Sequence, residues 1–310
     1  MADRDELLLQ VALLYYEEEV TQSKIAEMMK ISRPTVATLL HEAKEKGIVK
    51  ITIQHSEHNL LKKQEQLRQK YKLSTLKIAS SGNTNQNSVK TIAGKMCADL
   101  VEPILSHSKK LGIGWGTTIY EYVNQAAYLD LKQLKIAPLI GGVGVSNVRY
   151  HSNHLAFILS QKYNCDTSYF YAPAIADSFE LKEMLIHTSF LKEVMGEGKE
   201  VDVAVLGIGN PLHSSTYRKL GYINDEEIKD LSDQKTIGDI GGTFFNEAGE
   251  AVQTDISERM IGIGLEDIMK IPRVIIVATG EEKAASIKTL LELGFITDLI
   301  IDEDIADTLL

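Results

Sequence analysis

Between Asp3 and Glu19, Leu7, Val11, Leu14 and Tyr15 recur at three-to-four spacing with acids at both ends, which predicts an amphipathic helix. Thr21 is placed to cap a second, short helix that turns Ile25, Ala26 and Met29 inward. The pattern breaks at Lys30-Ile31-Ser32. Ser32 then caps a third helix, with Pro34 in the first turn, where its missing N–H costs nothing, and Val36, Leu39, Leu40 and Ala43 on the inner face. This helix ends at Gly47, and residues 48–54, IVKITIQ, alternate like a strand. Residues 55–72 are charged, with a narrow stripe of Leu60, Leu61, Gln64, Leu67 and Tyr71. They predict a linker helix that either pairs with a partner subunit or lies on the body.

From Leu73 onward short apolar runs alternate with helical stretches. Strands are predicted at Thr75–Ala79, Leu111–Gly114, Leu134–Ile140, Val201–Gly207, Lys235–Ile240, Arg273–Ala278 and Asp298–Ile301. Helices are predicted at Ser88–Leu105, Thr117–Ala127, Ser152–Tyr163 and Glu281–Leu293. Near-continuous apolar strands alternating with helices imply a doubly wound, mostly parallel α/β sheet. The expected organisation is a head at 1–54, a linker at 55–72 and a large domain at 73–310.

A length of 310 residues suits about two domains, and 44% apolar with 25% charged residues is ordinary for a globular chain. The longest charge-free stretch, Val203 to Tyr217, contains Gly, Asn and Pro and is too short to cross a bilayer. The N-terminus lacks a signal-peptide layout, and Cys97 and Cys165 make no disulfide framework. A cytoplasmic protein with reduced thiols and no membrane partner is expected.

The net charge of −10 alone argues against a nucleic-acid binder, but it is unevenly spread. Residues 1–72 hold 12 Lys/Arg against 11 Asp/Glu, and residues 73–310 hold 21 against 32. A locally basic head on an acidic body fits a DNA-contacting module joined to a domain that must not stick to DNA. The layout of the head is a winged helix-turn-helix. Ser32, Arg33, Thr35 and Thr38 face outward at the start of the third helix, suited to base edges and phosphates, with Lys30 in the turn where glycine is common. The alternative is a three-helix packing module with no DNA role.

In a doubly wound sheet ligands bind at the carboxyl ends of strands. Residues 112–119, GIGWGTTI, end a strand and open a helix, so Gly116, Thr117 and Thr118 can make an anion cradle of backbone N–H groups and hydroxyls. Other strand ends carry Gly141-Gly142, Gly207-Ile208-Gly209-Asn210, Gly238-Asp239 with Gly241-Gly242, and Thr279-Gly280-Glu281-Glu282-Lys283. With Arg259 nearby, they point to a small phosphorylated polyol.

Together these motifs make the chain resemble the SorC/DeoR family of bacterial sugar-binding transcriptional regulators over essentially its full length. The matching segments are ISRPTV at 31–36, GIGWGTTI, PLIGG at 138–142, GIG at 207–209, GDIGGTFFNEAG at 238–249, ERMIGI at 258–263, VATGEEKAASI at 277–287 and LIIDEDIADTLL at 299–310. The resemblance implies an effector domain similar to glucosamine-6-phosphate deaminase and related sugar-phosphate isomerases. It also implies double-stranded operator DNA and a phosphorylated sugar as partners, and a homodimer or homotetramer. On this chain the effector phosphate would meet Gly116, Thr117, Thr118 and Lys283. The sugar would meet some of Gly142, Asp239, Asn246 and Arg259.

The pattern departs from the deaminases at Asn210-Pro211-Leu212-His213, and no lysine lies in the PLIGG loop to form an imine. His213 alone is a weak general base, and His151 with His154 lacks a third metal ligand at fitting spacing. Arg149, His151 and His154 could reach a ligand, and Trp115 is read as a packing anchor. No nucleophile, base and oxyanion donors assemble, so a binding domain without catalytic residues, metal or cofactor is expected. The alternative is a sugar-phosphate isomerase or deaminase with an accessory DNA-binding module, separable by turnover of aldose and ketose phosphates.

Overall fold

The computed structural model describes residues 2–49, 55–80, 85–144, 147–213, 216–219 and 221–310. The chain divides into two compact units, one ending at Glu57 and one running from His58 to Leu310. No described helix is long and apolar enough to cross a membrane.

The described residues of the first unit form α1 (Ala2–Tyr16), α2 (Gln22–Met29) and α3 (Arg33–Glu45) before the helix that begins at His55. They close on Leu8, Val11, Ala12, Ile25, Ala26, Val36, Leu39, Leu40 and Ala43. Thr21 and Ser32 cap α2 and α3 by accepting from Lys24 N and Thr35 N. Between the helices Lys30 sits in the left-handed region at φ +53°, and Ile31 N–H returns to Ala26 O at 3.0 Å. That reversal closes a helix C-terminus, a place where glycine has no steric penalty. Arg4 donates two bonds to Glu42, and Lys46 pairs with Asp5, tying α1 to α3. Residues 50–54 of the expected strand lie outside the described residues.

In the second unit α4 (His55–Lys70) leads into the body. Leu67 is buried, Leu60 and Tyr71 pack against the same core, and Lys63 pairs with Glu303 and Asp307. The helix lies on the body through Leu60, Lys63, Leu67 and Tyr71, while Leu61 of the same stripe is exposed.

Among the described residues the strands are β1 (Thr75–Ala79), β2 (Lys110–Ile113), β3 (Lys135–Pro138), β4 (Asp166–Thr167), β5 (Val203–Leu206), β6 (Thr236–Ile240), β7 (Thr243–Asn246), β8 (Arg273–Val277) and β9 (Asp298–Asp302). Among the described residues the main sheet is ordered β1-β9-β8-β5-β2-β3-β4, and every pairing is parallel. Successive residues serve opposite faces. Ala204, Leu206, Val274 and Ile276 enter one core, and Val203, Val205, Ile275 and Val277 enter the other. Burial on both faces explains the near-continuous apolar runs. The helices α5 (Gln86–Leu105), α6 (Thr117–Gln125) and α7 (Ser152–Tyr163) cover the second core.

One expected strand belongs elsewhere. The run Lys235–Ile240 forms β6, but it pairs antiparallel with β7 as a separate hairpin rather than joining the parallel sheet. Gly241 at φ +54° and Gly242 make the two-residue connection, a geometry that a Gly-Gly pair favours and a crossover does not need.

Candidate ligand cavity at the sheet switch point

From β2 the chain moves outward to β3 and β4, then returns to β5 beside β2 and proceeds the other way to β8 and β9. The reversal leaves a crevice beyond the carboxyl ends of β2 and β5, where doubly wound sheets bind ligands. A cavity of about 460 Å³ occupies it. The loops after β2, β5, β8 and β9 line it, together with Leu139 and Ile140 after β3, Asp239 of β6, and Gln86, Val89 and Lys90 of α5.

The start of α6 supplies one wall. Gly116 takes φ +108°, which only glycine adopts without strain, and its N–H donates to Tyr150 O at 3.0 Å. Thr117, Thr118 and Ile119 then offer first-turn N–H groups with no acceptor inside the helix, at its positive end. Gly94 lets α5 approach α6 closely, since a Cβ there would stand 2.6 Å from the Glu121 carbonyl carbon.

The loop after β5 brings Gly209 against Asp239. Each donates its N–H to the other's carbonyl at 3.1 Å, and a Cβ on Gly209 would stand 2.1 Å from Asp239 Oδ1. Asn210 donates from Nδ2 to Glu282 O at 2.8 Å and accepts from Leu212 N, joining this loop to the one after β8. In that second loop Gly280, at φ +105°, donates its N–H to Asp302 Oδ2. The other Asp302 oxygen caps the last helix at Ile305 N. Lys283 Nζ turns back to Thr279 O at 2.9 Å.

Burial sets the electrostatics. Asp239 is pushed up to about 7 by desolvation, against the pull of Lys283. Lys283 is pushed down to about 8 by desolvation and by Lys90, against Glu282, Asp239 and Asp302. Two buried polar atoms in the lining, Asp239 Oδ1 and Thr279 Oγ1, have no hydrogen-bond partner among the described residues.

Of the effector residues expected from the sequence, Gly116, Thr117, Thr118, Asp239 and Lys283 meet in this cavity. Gly142, Asn246 and Arg259 do not, and each has a local duty instead. Gly142 clears space for α7, a Cβ there standing 2.6 Å from Ser152 Oγ. Asn246 Oδ1 accepts from Ala248 N and Glu250 N to close a turn. The Arg259 guanidinium is taken up by Asp255, Glu227 and Ala176 O.

His213 is exposed and outside the lining. His151 is buried edge-on to Trp115 and Tyr222, and Arg149 lies over Tyr150 and Tyr120. No group of three metal-ligating side chains forms among the described residues. Trp115 packs on Tyr217 at 4.7 Å while lining the cavity. Sequence reasoning missed Lys90, Thr279, Asn210 and Asp302. Thr279 and Asn210 lay in loops already singled out, whereas Lys90 carried no local signal beyond its helix.

In the head Ser32, Arg33, Thr35, Thr38 and Lys30 are all exposed. The hydroxyls are engaged locally: Ser32 Oγ with Thr35 Oγ1 at 2.7 Å, and Thr38 Oγ1 with Pro34 O at 3.1 Å. Arg33 and Lys30 have no ion-pair partner among the described residues.

Residues 56–310 match the family described as a sugar-binding domain. The deoxyribonucleoside regulator of Bacillus subtilis (strain 168) is 29% identical over 307 residues, covering 99% of this chain and 98% of that protein. The sorbitol operon regulator of Klebsiella pneumoniae is 29% identical over 311 residues, covering 100% and 99%. The crystal structure of that full-length regulator, SorC, superposes with a TM-score of 0.76 at 28% identity and 98% coverage of both chains.

Proposed function

Because the chain belongs to the sugar-binding-domain family, in the SorC/DeoR group of transcriptional regulators, we propose that its head binds double-stranded operator DNA and that a phosphorylated sugar in the body's cavity controls that binding. The observation that carries this reading is the cavity itself. One cavity combines a helix N-terminus, a buried lysine, a buried carboxyl and a hydroxyl. The first two favour a phosphate, and the others suit sugar hydroxyls.

In the head, α3 presents Arg33 to the major groove, and the hydroxyls of Ser32, Thr35 and Thr38 hold its first turn in shape. Two copies related by a two-fold axis then read a pseudo-palindromic site. An isomerase or deaminase reading gains nothing from His213, which stands outside the cavity.

Thermal-shift screening of pentose and hexose phosphates, followed by operator binding with each hit, tests the proposal. At least one phosphosugar raises Tm and changes operator affinity. Binding of sugar phosphates accompanied by turnover, with no effect on DNA, sinks it.

A further inference from the structure

Thr279 is 4% exposed, lines the cavity, and its hydroxyl has no partner among the described residues. Buried hydroxyls are normally hydrogen-bonded, and an unsatisfied one lowers stability. The peptide that follows Thr279 is held at both polar atoms: the Thr279 carbonyl accepts from Lys283 Nζ, and the Gly280 N–H donates to the Asp302 carboxylate. Asp239 lines the same cavity, is 5% exposed, and leaves its Oδ1 unpartnered. With a pKa pushed up to about 7 by burial, that carboxyl can accept or donate at neutral pH.

We infer that Thr279, with Asp239 beside it in the lining, is the specificity-determining residue of the cavity, its hydroxyl reading one hydroxyl of a polyhydroxylated ligand and rejecting the analogue that lacks it. This rests on the sugar-phosphate reading and deepens it. A site built to hydrogen-bond a hydroxyl discriminates strongly because the deoxy analogue leaves the buried group unpaired, whereas an apolar pocket discriminates weakly.

The test is Thr279→Val, nearly the same shape without the hydroxyl, with Thr236→Val as control. Thr236 is also buried with an unpartnered Oγ1, but it does not line the cavity. Without ligand, both variants should melt no lower than the wild type, since each loses an unsatisfied polar atom. The probes are pentose and hexose phosphates, their mono-deoxy analogues and the unphosphorylated sugars, titrated calorimetrically. Wild type and Thr236→Val should bind one hydroxylated probe at least about tenfold more tightly than one of its deoxy analogues. Thr279→Val should lose about tenfold on the hydroxylated probe and little on that analogue, erasing the preference.

A lowered melting temperature confined to Thr279→Val, or an unchanged preference, overturns the inference while the sugar-phosphate reading stands. Binding of unphosphorylated sugars only sinks the phosphate reading, and Thr279 is then judged on those sugars by the same preference. No binding of any sugar overturns both.

Discussion

In the head, the side chains assigned to DNA stand in solvent, and their hydroxyls are already bonded within one turn of α3. In the body, most of the groups assigned to the ligand are buried, and the polar atoms Asp239 Oδ1 and Thr279 Oγ1 lack partners among the described residues. A surface reader needs only charge in the right place, because water satisfies it while DNA is absent. A cavity reader must hold desolvated groups before the ligand arrives, at a standing loss of stability. Substitutions in the head should therefore change binding with little effect on folding. Substitutions in the cavity should change binding and stability in opposite directions.

The largest effect is expected at Lys283. Removing its ammonium takes away a charge-assisted hydrogen bond to the effector phosphate, worth about 1.5–3 kcal/mol. Lys283→Ala should weaken the cognate phosphosugar at least about tenfold by calorimetry. Operator binding without effector should persist, since the head has its own core. An unchanged dissociation constant places the phosphate elsewhere.

Next is Arg33, the exposed counterpart. Arg33→Ala should weaken specific operator binding by about 1–3 kcal/mol if the guanidinium meets a guanine edge. Effector affinity and melting temperature should not move. Equal operator affinity in wild type and variant removes Arg33 from the reading surface.

The elements were legible where periodicity is set by burial on one or both faces. The body strands other than β4 and β7 followed from apolar runs, and the three head helices from periodicity, caps and the Lys30-Ile31-Ser32 break. Which side of a loop faces the crevice was not legible. Gly142, Asn246 and Arg259 lie in family motifs just as Gly116, Asp239 and Lys283 do, yet they turn to α7, a tight turn and an acidic pair. The β6–β7 hairpin was misplaced for a related reason, since an apolar run does not announce its pairing partner. Lys90 enters the cavity only because Gly94 seats α5 against α6, a tertiary fact with no sequence period.

The stability side of the comparison can be broken with pH. Asp239 has a folded pKa of about 7, above the usual carboxylate value, so the folded chain keeps a proton that the unfolded chain sheds. Its contribution is most favourable in acid and is lost as pH rises from about 4 through 7. Lys283, lowered to about 8, is charged against its burial below that pH and relieved as pH rises toward the ordinary lysine value. Asp239→Asn removes the first dependence and takes away one of the charges that hold the Lys283 pKa up. Its melting temperature should exceed that of the wild type above pH 7, by about 2–4 °C per kcal/mol relieved in a domain of this size. The gap should close toward pH 5. A gap constant with pH means the carboxyl is not desolvated.

The smallest effect lies in the head, at one of the two described non-glycine positions there, Glu19 and Lys30, that take a left-handed backbone. Lys30 holds φ +53° at the turn between α2 and α3, a conformation that disfavours a side chain with a Cβ. Lys30→Gly relieves that strain and also frees the unfolded chain, leaving a net gain of about 0.5–1 kcal/mol in the head's stability. The same change deletes an exposed cation next to α3. If that cation meets a phosphate, the dependence of log affinity on log salt should shallow by about one unit across all sequences, leaving base preference intact. Stability and DNA affinity then move in opposite directions at a single exposed residue, as they do in the cavity. If Lys30→Gly stabilises the head and leaves the salt dependence untouched, the lysine serves neither fold nor DNA, and recognition rests on α3 alone.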